Sequence, residues 1–224
     1  MLFRSILTSD AYMQMSNVKE HVYSQVQGDE QGGDSVRPME IDAQNRLLWR
    51  QNPRRIEAEV IRDSVLFVSD KLNPKRGGPG FEDFTYQDAY APIYTYVTAD
   101  DPTVWRRSIY RYIVRTTPNR FLATLDCPDP ANLTPKRLAT TTPLQSLALY
   151  NNEFMIRQAR YFAERIKQQV GEETVAQVAC AFGLAFGRQP TVEEVRLAVE
   201  LVKQQGLFTL CRSILNSNEF VYVD

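Results

Sequence analysis

The sequence has little histidine and cysteine, which excludes several kinds of catalytic and metal site. Its three cysteines, Cys127, Cys180 and Cys211, are far apart, so no C-x-x-C or C-x-x-C-H motif provides a thioredoxin-like site, a zinc ribbon or a covalent haem attachment. Any histidine ligand or relay would have to use His21, which precedes a polar stretch and is predicted to be solvated. Apolar neighbours predict that Cys180 and Cys211 are buried, inert thiols.

The sequence also lacks an excess of charge and a long apolar run. Its 224 residues include 26 basic and 27 acidic side chains, a net charge of -1, so no overall field attracts nucleic acid or an anionic membrane. No segment approaches the roughly 20 apolar residues that span a bilayer, and no export signal opens the chain. We therefore expect neither a nucleic-acid partner nor a membrane span.

The first part of the chain is predicted to contain a helix and a loop. Apolar residues recur at helical spacing from Leu2, which predicts a helix over residues 1–23, but no Ser, Thr, Asp or Asn caps it. This uncapped start leads us to expect that the chain is the C-terminal part of a longer protein. Residues 24–45 lack apolar periodicity and are predicted to form a mobile polar loop.

A strongly patterned helix is predicted to follow this loop. It should begin at Pro53, with Asn52 as its cap. Its broad apolar face should consist of Ile56, Val60, Ile61, Val65, Phe67, Val68 and Leu72. The run Gly77-Gly78-Pro79-Gly80 should end the element in an irregular loop. Because this run lacks the lysine and hydroxyl of a phosphate loop, a nucleotide site is a weak interpretation.

Residues 46–135 as a whole are predicted to hold this helix, a β-hairpin and an extended crossing. Ile93–Thr98 and Arg106–Arg115 are rich in β-branched and aromatic residues and are separated by turn residues, which predicts that they pair as the hairpin. Prolines over residues 116–142 forbid a long helix and predict the crossing. Acidic residues near the turn are expected to pair with the arginines that follow it: Glu82, Asp83, Asp88, Asp100 and Asp101 with Arg106, Arg107, Arg111, Arg115 and Arg120.

Residues 136–224 are predicted to form a helical bundle. Thr142-Pro143-Leu144-Gln145 and Thr191-Val192-Glu193-Glu194 are capping boxes, and Asn151-Asn152 can restart a helix. Glycines should end the helices at Gly171, Gly187 and Gly206. The expected fold is therefore a single, mainly α domain over residues 1–224, a helical bundle with a small inserted β-hairpin.

Two charged patterns could carry function. The first lies around the predicted helix and consists of Arg54, Arg55, Glu57, Glu59, Arg62 and Asp63. It could bind an anion or a sugar, but a solvated or internally paired helix face explains it at least as well. The second interleaves Trp105, Tyr110 and Tyr112 with arginines, which suits single-stranded nucleic acid or a glycan. Strand alternation, with one buried and one salt-bridged face, explains that pattern too.

Several segments, distributed over nearly the whole chain, resemble in sequence and order the motifs of one family. The matching segments are N-R-L-L-W-R from Asn45, P-R-R-I-E-A-E-V-I-R-D from Pro53, G-G-P-G-F from Gly77, R-R-S-I-Y from Arg106, D-C-P-D-P from Asp126, T-T-T-P-L-Q-S-L-A-L from Thr140 and S-N-E-F-V-Y-V-D from Ser217. The chain therefore resembles the domain of unknown function 1553 family, a C-terminal planctomycete domain of cytochrome-c-associated multi-domain proteins. It departs from the pattern at Ala43, where a proline often stands, and in a longer polar loop before that residue.

The resemblance implies a context more than a chemistry. Such proteins typically have an export signal, a c-type haem segment and an upstream companion domain, so it implies a periplasmic or extracellular location. It places any haem on a region upstream of this chain, which carries no cofactor motif of its own, and makes upstream domains of the same or a partner protein the expected partners. It transfers no catalytic or metal-binding residue to this sequence.

The recurrent charged motif of the resemblance singles out one candidate polar cluster. Its members are Arg54, Arg55, Glu59, Arg62, Asp63, Arg106 and Arg107. Packed together, they would form either a structural latch or a ligand site, and the sequence leaves both open.

Two functions from different classes follow. The first is a non-catalytic structural or interaction module of an exported, haem-linked multi-domain protein. The alternative is part of a glycan-processing enzyme or a carbohydrate-binding module. An enzyme of that kind needs two carboxylates facing each other across a cleft. The candidates for that pair are Glu57, Glu59, Asp63, Asp126 and Asp129.

Overall fold

The computed structural model describes residues 41–223, so the predicted helix over 1–23 and residues 24–40 of the predicted loop lie outside the described residues. The chain divides into two compact units: one runs to Arg55 and resumes at Tyr222, and the other is Ile56–Val221. The expectation that residues 1–224 form a single domain stays a prediction. Within the described part, the predicted fold class, mainly α with a small β-hairpin, is confirmed.

The smaller unit is built on turns around Asn45. The Asn45 amide donates to the carbonyl of Arg50 at 2.6 Å, and the Asp42 carboxylate accepts from the backbone N–H of Leu47 at 2.7 Å. The indole of Trp49 donates to the carbonyl of Asp42. The N-R-L-L-W-R segment is therefore a turn held by its own polar side chains.

A short antiparallel pair completes the smaller unit. Strand β1 (Arg54–Arg55) pairs with strand β4 (Tyr222–Val223), with Arg54 opposite Val223.

The larger unit begins with helix α1 (Ala58–Val68). The prediction that this helix starts at Pro53 is wrong, because Arg54–Arg55 is extended in β1 and Glu57 is the extended residue before the helix. Val60 and Phe67, predicted on the apolar face, are 45% and 62% exposed. Ile61, Val65 and Val68 of the same predicted face are buried, and Ala58, Arg62 and Leu66 are buried beside them.

The β-hairpin joins strand β2 (Phe84–Gln87) to strand β3 (Ile93–Tyr96), with Phe84 opposite Tyr96. The prediction of a strand near Ile93 is confirmed, but its predicted partner, Arg106–Arg115, is wrong. Cross-strand aromatic contacts provide the physical reason: Phe84 packs edge-on against the rings of Tyr94 and Tyr96 with centroids 5.4 and 6.0 Å apart.

The segment Arg106–Arg115 is irregular. It contains a 3-10 turn at Ser108–Tyr110 and two isolated parallel bridges, Arg106 with Asn73 and Arg111 with Phe81. Its alternation of aromatic and basic residues therefore reflects contacts with several neighbouring segments rather than a strand.

The glycine run allows the contact between Phe81 and the Arg106–Arg115 segment. Phe81 N–H donates to the carbonyl of Tyr110 at 2.9 Å, and Tyr112 N–H donates to the carbonyl of Phe81 at 2.8 Å. At Gly80, a Cβ would lie 2.9 Å from the Tyr110 carbonyl oxygen, so only glycine allows the two backbones to approach this closely.

The remaining chain forms the predicted helical bundle. The helices are α2 (Arg120–Thr124), α3 (Pro143–Asn151), α4 (Glu153–Val170), α5 (Thr174–Phe186), α6 (Val192–Gln205), α7 (Leu207–Leu215) and α8 (Asn218–Val221). Helix α2 interrupts the crossing that was predicted to be extended, because the Asn119 side chain caps it by accepting from Leu122 N–H. None of the helices within residues 41–223 combines the length and the apolar character that crossing a membrane requires.

The predicted helix boundaries of the bundle are confirmed at several residues. Both capping boxes form, at Thr142 and Thr191, and Asn152 caps α4 through its side chain. Glycines follow α4, α5 and α6 at the predicted positions.

The core of the bundle lies between α4 and α7. Phe162 and Ile166 of α4 are fully buried, as is Cys211 of α7, which agrees with the prediction for that thiol. Burial raises the pKa of Cys211 far above that of a free thiol. Cys180 is only half-buried, because it lies near the surface of α5.

We predict that Gly80→Ala destabilises the chain by about 1–3 kcal/mol, since the added methyl group overlaps the carbonyl oxygen of Tyr110, which a hydrogen bond from Phe81 N–H holds in place. The measurement is the free energy of unfolding in urea. Gly183→Ala is the matched control: Gly183 lies inside α5 with no atom near its absent Cβ, so alanine should stabilise the protein by about 0.5–1 kcal/mol. Equal stability of Gly80→Ala and the unmodified chain would contradict the close approach.

Candidate functional site

Arg62 is the central residue of the predicted polar cluster. It lies on α1 and is 8% exposed. Its guanidinium donates to the carbonyls of Val104 and Arg106 at 2.6 and 2.9 Å, and to the Ser108 hydroxyl at 3.2 Å. Burial lowers the pKa of Arg62 to about 10, partly offset by nearby carboxylates, so the side chain remains charged at neutral pH.

Two aromatic rings enclose the same guanidinium. The rings of Phe81 and Phe154 lie 5.2 and 5.7 Å from its central carbon. Such contacts with the face of an aromatic ring are attractive for a cation and exclude water from it. Arg62 therefore fixes the 104–108 segment against α1.

Asp63 fixes the same segment from the next position of α1. Its Oδ1 accepts from both the backbone N–H and the hydroxyl of Ser108, at 2.8 and 2.7 Å. Arg107 is more peripheral, because its Nε lies 3.7 Å from Asp63 and its side chain is 62% exposed.

Arg106 extends the network to the glycine run. Its guanidinium donates to the carbonyls of Gly77 and Pro79, both at 2.6 Å, and lies 4.1 Å from the ring of Tyr110. The Tyr110 hydroxyl in turn accepts from the N–H of Gly77. We call the set Arg62, Asp63, Arg106 and Ser108 the arginine latch.

The other predicted cluster members are placed elsewhere. Glu59 forms an ion pair with Arg137 at 2.8 Å. Arg137 was not among the residues selected from the sequence. Burial raises the pKa of Glu59, but the hydrogen bond from Arg137 outweighs it, so the pKa is lowered. Arg54 and Arg55 form β1 in the smaller unit. The structure thus brings together Arg62, Asp63, Arg106 and Arg107.

A cleft of about 480 Å³ lies in the larger unit beside the latch. Its walls come from β3, from Trp105, from α2 and from the start of α4, and Arg62 is one of its lining residues. The charged side chains that line it are Arg62, Arg111, Arg120 and Asp83. Sequence reasoning placed Asp83 and Arg111 only in the acidic and basic sets expected to pair, not in the candidate site.

Asp83 and Arg111 form a buried ion pair in this cleft. The Arg111 Nε donates to Asp83 Oδ2 at 2.8 Å. The Arg111 side chain is 7% exposed and the Asp83 side chain is 16% exposed. Burial tends to lower the pKa of Arg111, but the hydrogen bond and charge of Asp83 outweigh it, so the pKa is raised. The Asn119 amide approaches the same carboxylate oxygen at 3.4 Å.

Metal ligands do not converge within the described part of the chain: over residues 41–223 no three His, Cys, Asp or Glu side chains come together. Cys127 lies beside Glu59, and burial together with that carboxylate raises its pKa to about 11. This thiol is therefore protonated at neutral pH, which disfavours its use as a nucleophile.

Comparison with protein families gives a match over most of the sequence. The family model described as PSD1, protein of unknown function (DUF1553), matches residues 1–202. No curated protein and no solved structure matches the chain. The matched range includes every residue of the latch and of the cleft named above.

We predict that Arg62→Lys lowers the free energy of unfolding by about 2–4 kcal/mol, because an ammonium group cannot reach both carbonyls and leaves a buried oxygen unpaired. The measurement is urea unfolding at pH 7. Arg107→Lys is the control; since that side chain is exposed, it should change stability by less than about 0.5 kcal/mol. A similar small change in both variants would refute the central role of Arg62.

Proposed function

The chain belongs to the PSD1 family of proteins of unknown function (DUF1553), and we propose that it serves as a non-catalytic structural or interaction module. The observation that carries this proposal is the state of the carboxylates that a glycan hydrolase would need. Each of the five candidates is engaged by other groups of the chain: Glu57 and Glu59 by Arg137, Asp63 by Ser108, Asp126 by Thr140 and Gln145, and Asp129 by Asn132.

These contacts favour a structural role. General acid–base catalysis needs a carboxyl group within reach of the substrate and with a pKa near the working pH. The ion pair with Arg137 instead holds the pKa of Glu59 below its usual value. Asp126 is committed to the backbone and hydroxyl of Thr140, where it ties the crossing to the start of α3.

The latch supports the same interpretation. Its arginines bond mainly to backbone carbonyls, which positions loops and leaves the guanidinium groups little capacity for a ligand. The proposed role of these residues is therefore to hold the 104–108 segment and the glycine run in place.

The wider context is also part of the proposal. We propose that the module acts as the C-terminal part of an exported, cytochrome-c-associated planctomycete protein, outside the cytoplasm, with upstream domains as its partners and any haem on those domains. The matched motifs, from N-R-L-L-W-R at Asn45 to T-T-T-P-L-Q-S-L-A-L at Thr140, support this context.

A carbohydrate-binding role is the second candidate. One observation favours it: the cleft beside the latch combines aromatic side chains with a buried donor and acceptor, Arg111 and Asp83. Binding of this kind requires no catalytic carboxylate and is compatible with the first proposal.

We expect the purified chain to release no reducing ends from cellulose, xylan, mannan, starch or peptidoglycan, because its carboxylates are already engaged. The measurement is a reducing-sugar assay, with Glu59→Gln and Asp126→Asn as matched variants. Release of sugar that disappears in either variant would overturn the non-catalytic proposal.

We also expect an antibody against residues 207–224 to detect, in source cells, a haem-staining band much larger than the 25.7 kDa of this chain. Such a band follows if the module is linked to haem-bearing upstream domains. A 25.7 kDa band without haem would contradict the haem-linked context and would leave the module to act by itself.

A further inference from the structure

We propose that the edge of strand β3 that faces away from β2 receives an extended peptide of a partner protein as a third strand, and that this peptide carries an acidic residue. The inference rests on the proposed role as an interaction module and names the class of partner. The site is the part of the cleft that borders β3.

The register of the hairpin shows which backbone groups of β3 face away from β2. Val97 N–H donates to the carbonyl of Asp83 at 2.8 Å, in the register that places Phe84 opposite Tyr96. In an antiparallel pair, hydrogen-bonded residues alternate with residues whose N–H and C=O groups point outward. The backbone groups of Tyr94 and Tyr96 therefore point away from β2, and among residues 41–223 they bond to no other segment.

The cleft follows this outward edge. Every residue from Tyr94 to Ala99 is among those that line it. The side chains of a strand alternate between its two faces, so a cleft against one face would be lined by every second residue. Lining by consecutive residues indicates that the cleft runs along the edge, where an added strand forms its hydrogen bonds.

A side chain already bonds to the next outward group of this edge. Thr98 lies two residues beyond Tyr96, and its carbonyl accepts from Arg157 Nη1 of α4 at 2.7 Å. An ion pair with Glu153, four residues earlier in α4, holds the Arg157 guanidinium in place. The edge thus accepts a donor from outside the hairpin, and Arg157 marks one end of the stretch that a peptide can follow.

The sequence of this edge suits strand addition. Residues 93–98 read I-Y-T-Y-V-T, which are all β-branched or aromatic and carry no charge. Such residues favour strands. Edge strands that are protected from pairing usually carry a lysine, a proline or an inward-pointing charge, and residues 93–98 contain none of these.

The walls opposite β3 define the side chains of the partner. Trp105, Phe121 and Phe154 line the cleft, so apolar side chains at alternate positions of a peptide fit between them and β3. The charged lining residues are three arginines and one aspartate, which gives the cleft a surplus of positive charge. Arg120 is exposed and has no ion pair among residues 41–223, so it is available to an acidic side chain.

The first experiment measures amide hydrogen exchange of the full chain by NMR with and without a peptide. The probes are octapeptides in which valine, isoleucine or tyrosine alternates with threonine and one threonine is replaced by glutamate. We expect at least one to bind and, at ten times its Kd, to slow exchange at Tyr94 and Tyr96 about tenfold.

Tyr86 is the matched control for this measurement. It lies opposite Tyr94, so its backbone groups point outward at the other edge of the same hairpin. Its exchange should change less than about twofold, because the cleft does not reach that edge. Protection of Tyr86 in place of Tyr94 would overturn the placement of the site.

A second measurement tests the mode of binding from the side of the peptide. Methylation of one peptide nitrogen at a time should weaken binding about tenfold at every second residue, whose N–H bonds to β3, and less than about twofold at the residues between them. Equal losses at consecutive residues would show that the peptide is not an added strand.

The acidic residue is tested with two arginine variants. Arg120→Ala should weaken binding of the glutamate peptide about fivefold and remove its advantage over the same peptide with lysine in place of glutamate. Arg115→Ala is the control, since Arg115 is exposed but does not line the cleft. Equal effects of the two variants would refute recognition of the acidic residue. If Arg120→Ala does not fold, the lysine peptide tests the same charge on the unmodified chain.

The remaining outcomes separate this inference from the proposed function. No binding of any octapeptide at about 1 mM overturns the inference and leaves the module proposal standing. Protection of Tyr94 and Tyr96 that grows with protein concentration, without peptide, overturns it in favour of a second copy of this chain. Release of reducing sugar would refute the non-catalytic role while peptide-dependent protection of Tyr94 and Tyr96 still supports the site.

Discussion

The buried guanidinium of Arg62 is the interaction on which the irregular half of the larger unit depends. A charged group removed from water must recover its hydrogen bonds inside the protein, and here backbone carbonyls of Val104 and Arg106 supply them. That requirement fixes the 104–108 segment, which places Arg106 where it can hold the carbonyls of the glycine run. A single buried charge thereby organises two segments that lack regular secondary structure, residues 104–108 and the glycine run.

The bundle could be predicted from sequence because its signals are local. A capping box acts over four residues, and both boxes, at Thr142 and Thr191, form as the sequence indicates. Glycines after helices, at Gly171 and Gly187, have backbone angles that other residues rarely adopt, so their positions also identify helix ends. Helix boundaries in this part needed no knowledge of tertiary contacts.

The hairpin and the site depend on contacts between distant residues, which is why sequence predicted them less well. Arg62 bonds to residues 42–46 positions away, and the segment around Arg106 follows those bonds in spite of its strand-like composition. The charged motif did identify Arg62, Asp63 and Arg106 as neighbours. It gave no sign that Glu59 would pair with Arg137, 78 residues away.

The same contacts show how completely the buried charges of the larger unit are used within the fold. Latch arginines give their terminal nitrogens to carbonyls, and the unpaired buried atom that remains on Arg106 is a single Nε. Among residues 41–223, Asp83 Oδ1 is the one buried side-chain acceptor without a partner, and the ion pair it belongs to also holds an unpaired donor, Arg111 Nη2. Because both side chains of that pair are almost fully removed from water, their attraction, like that of the latch, holds segments of the fold together.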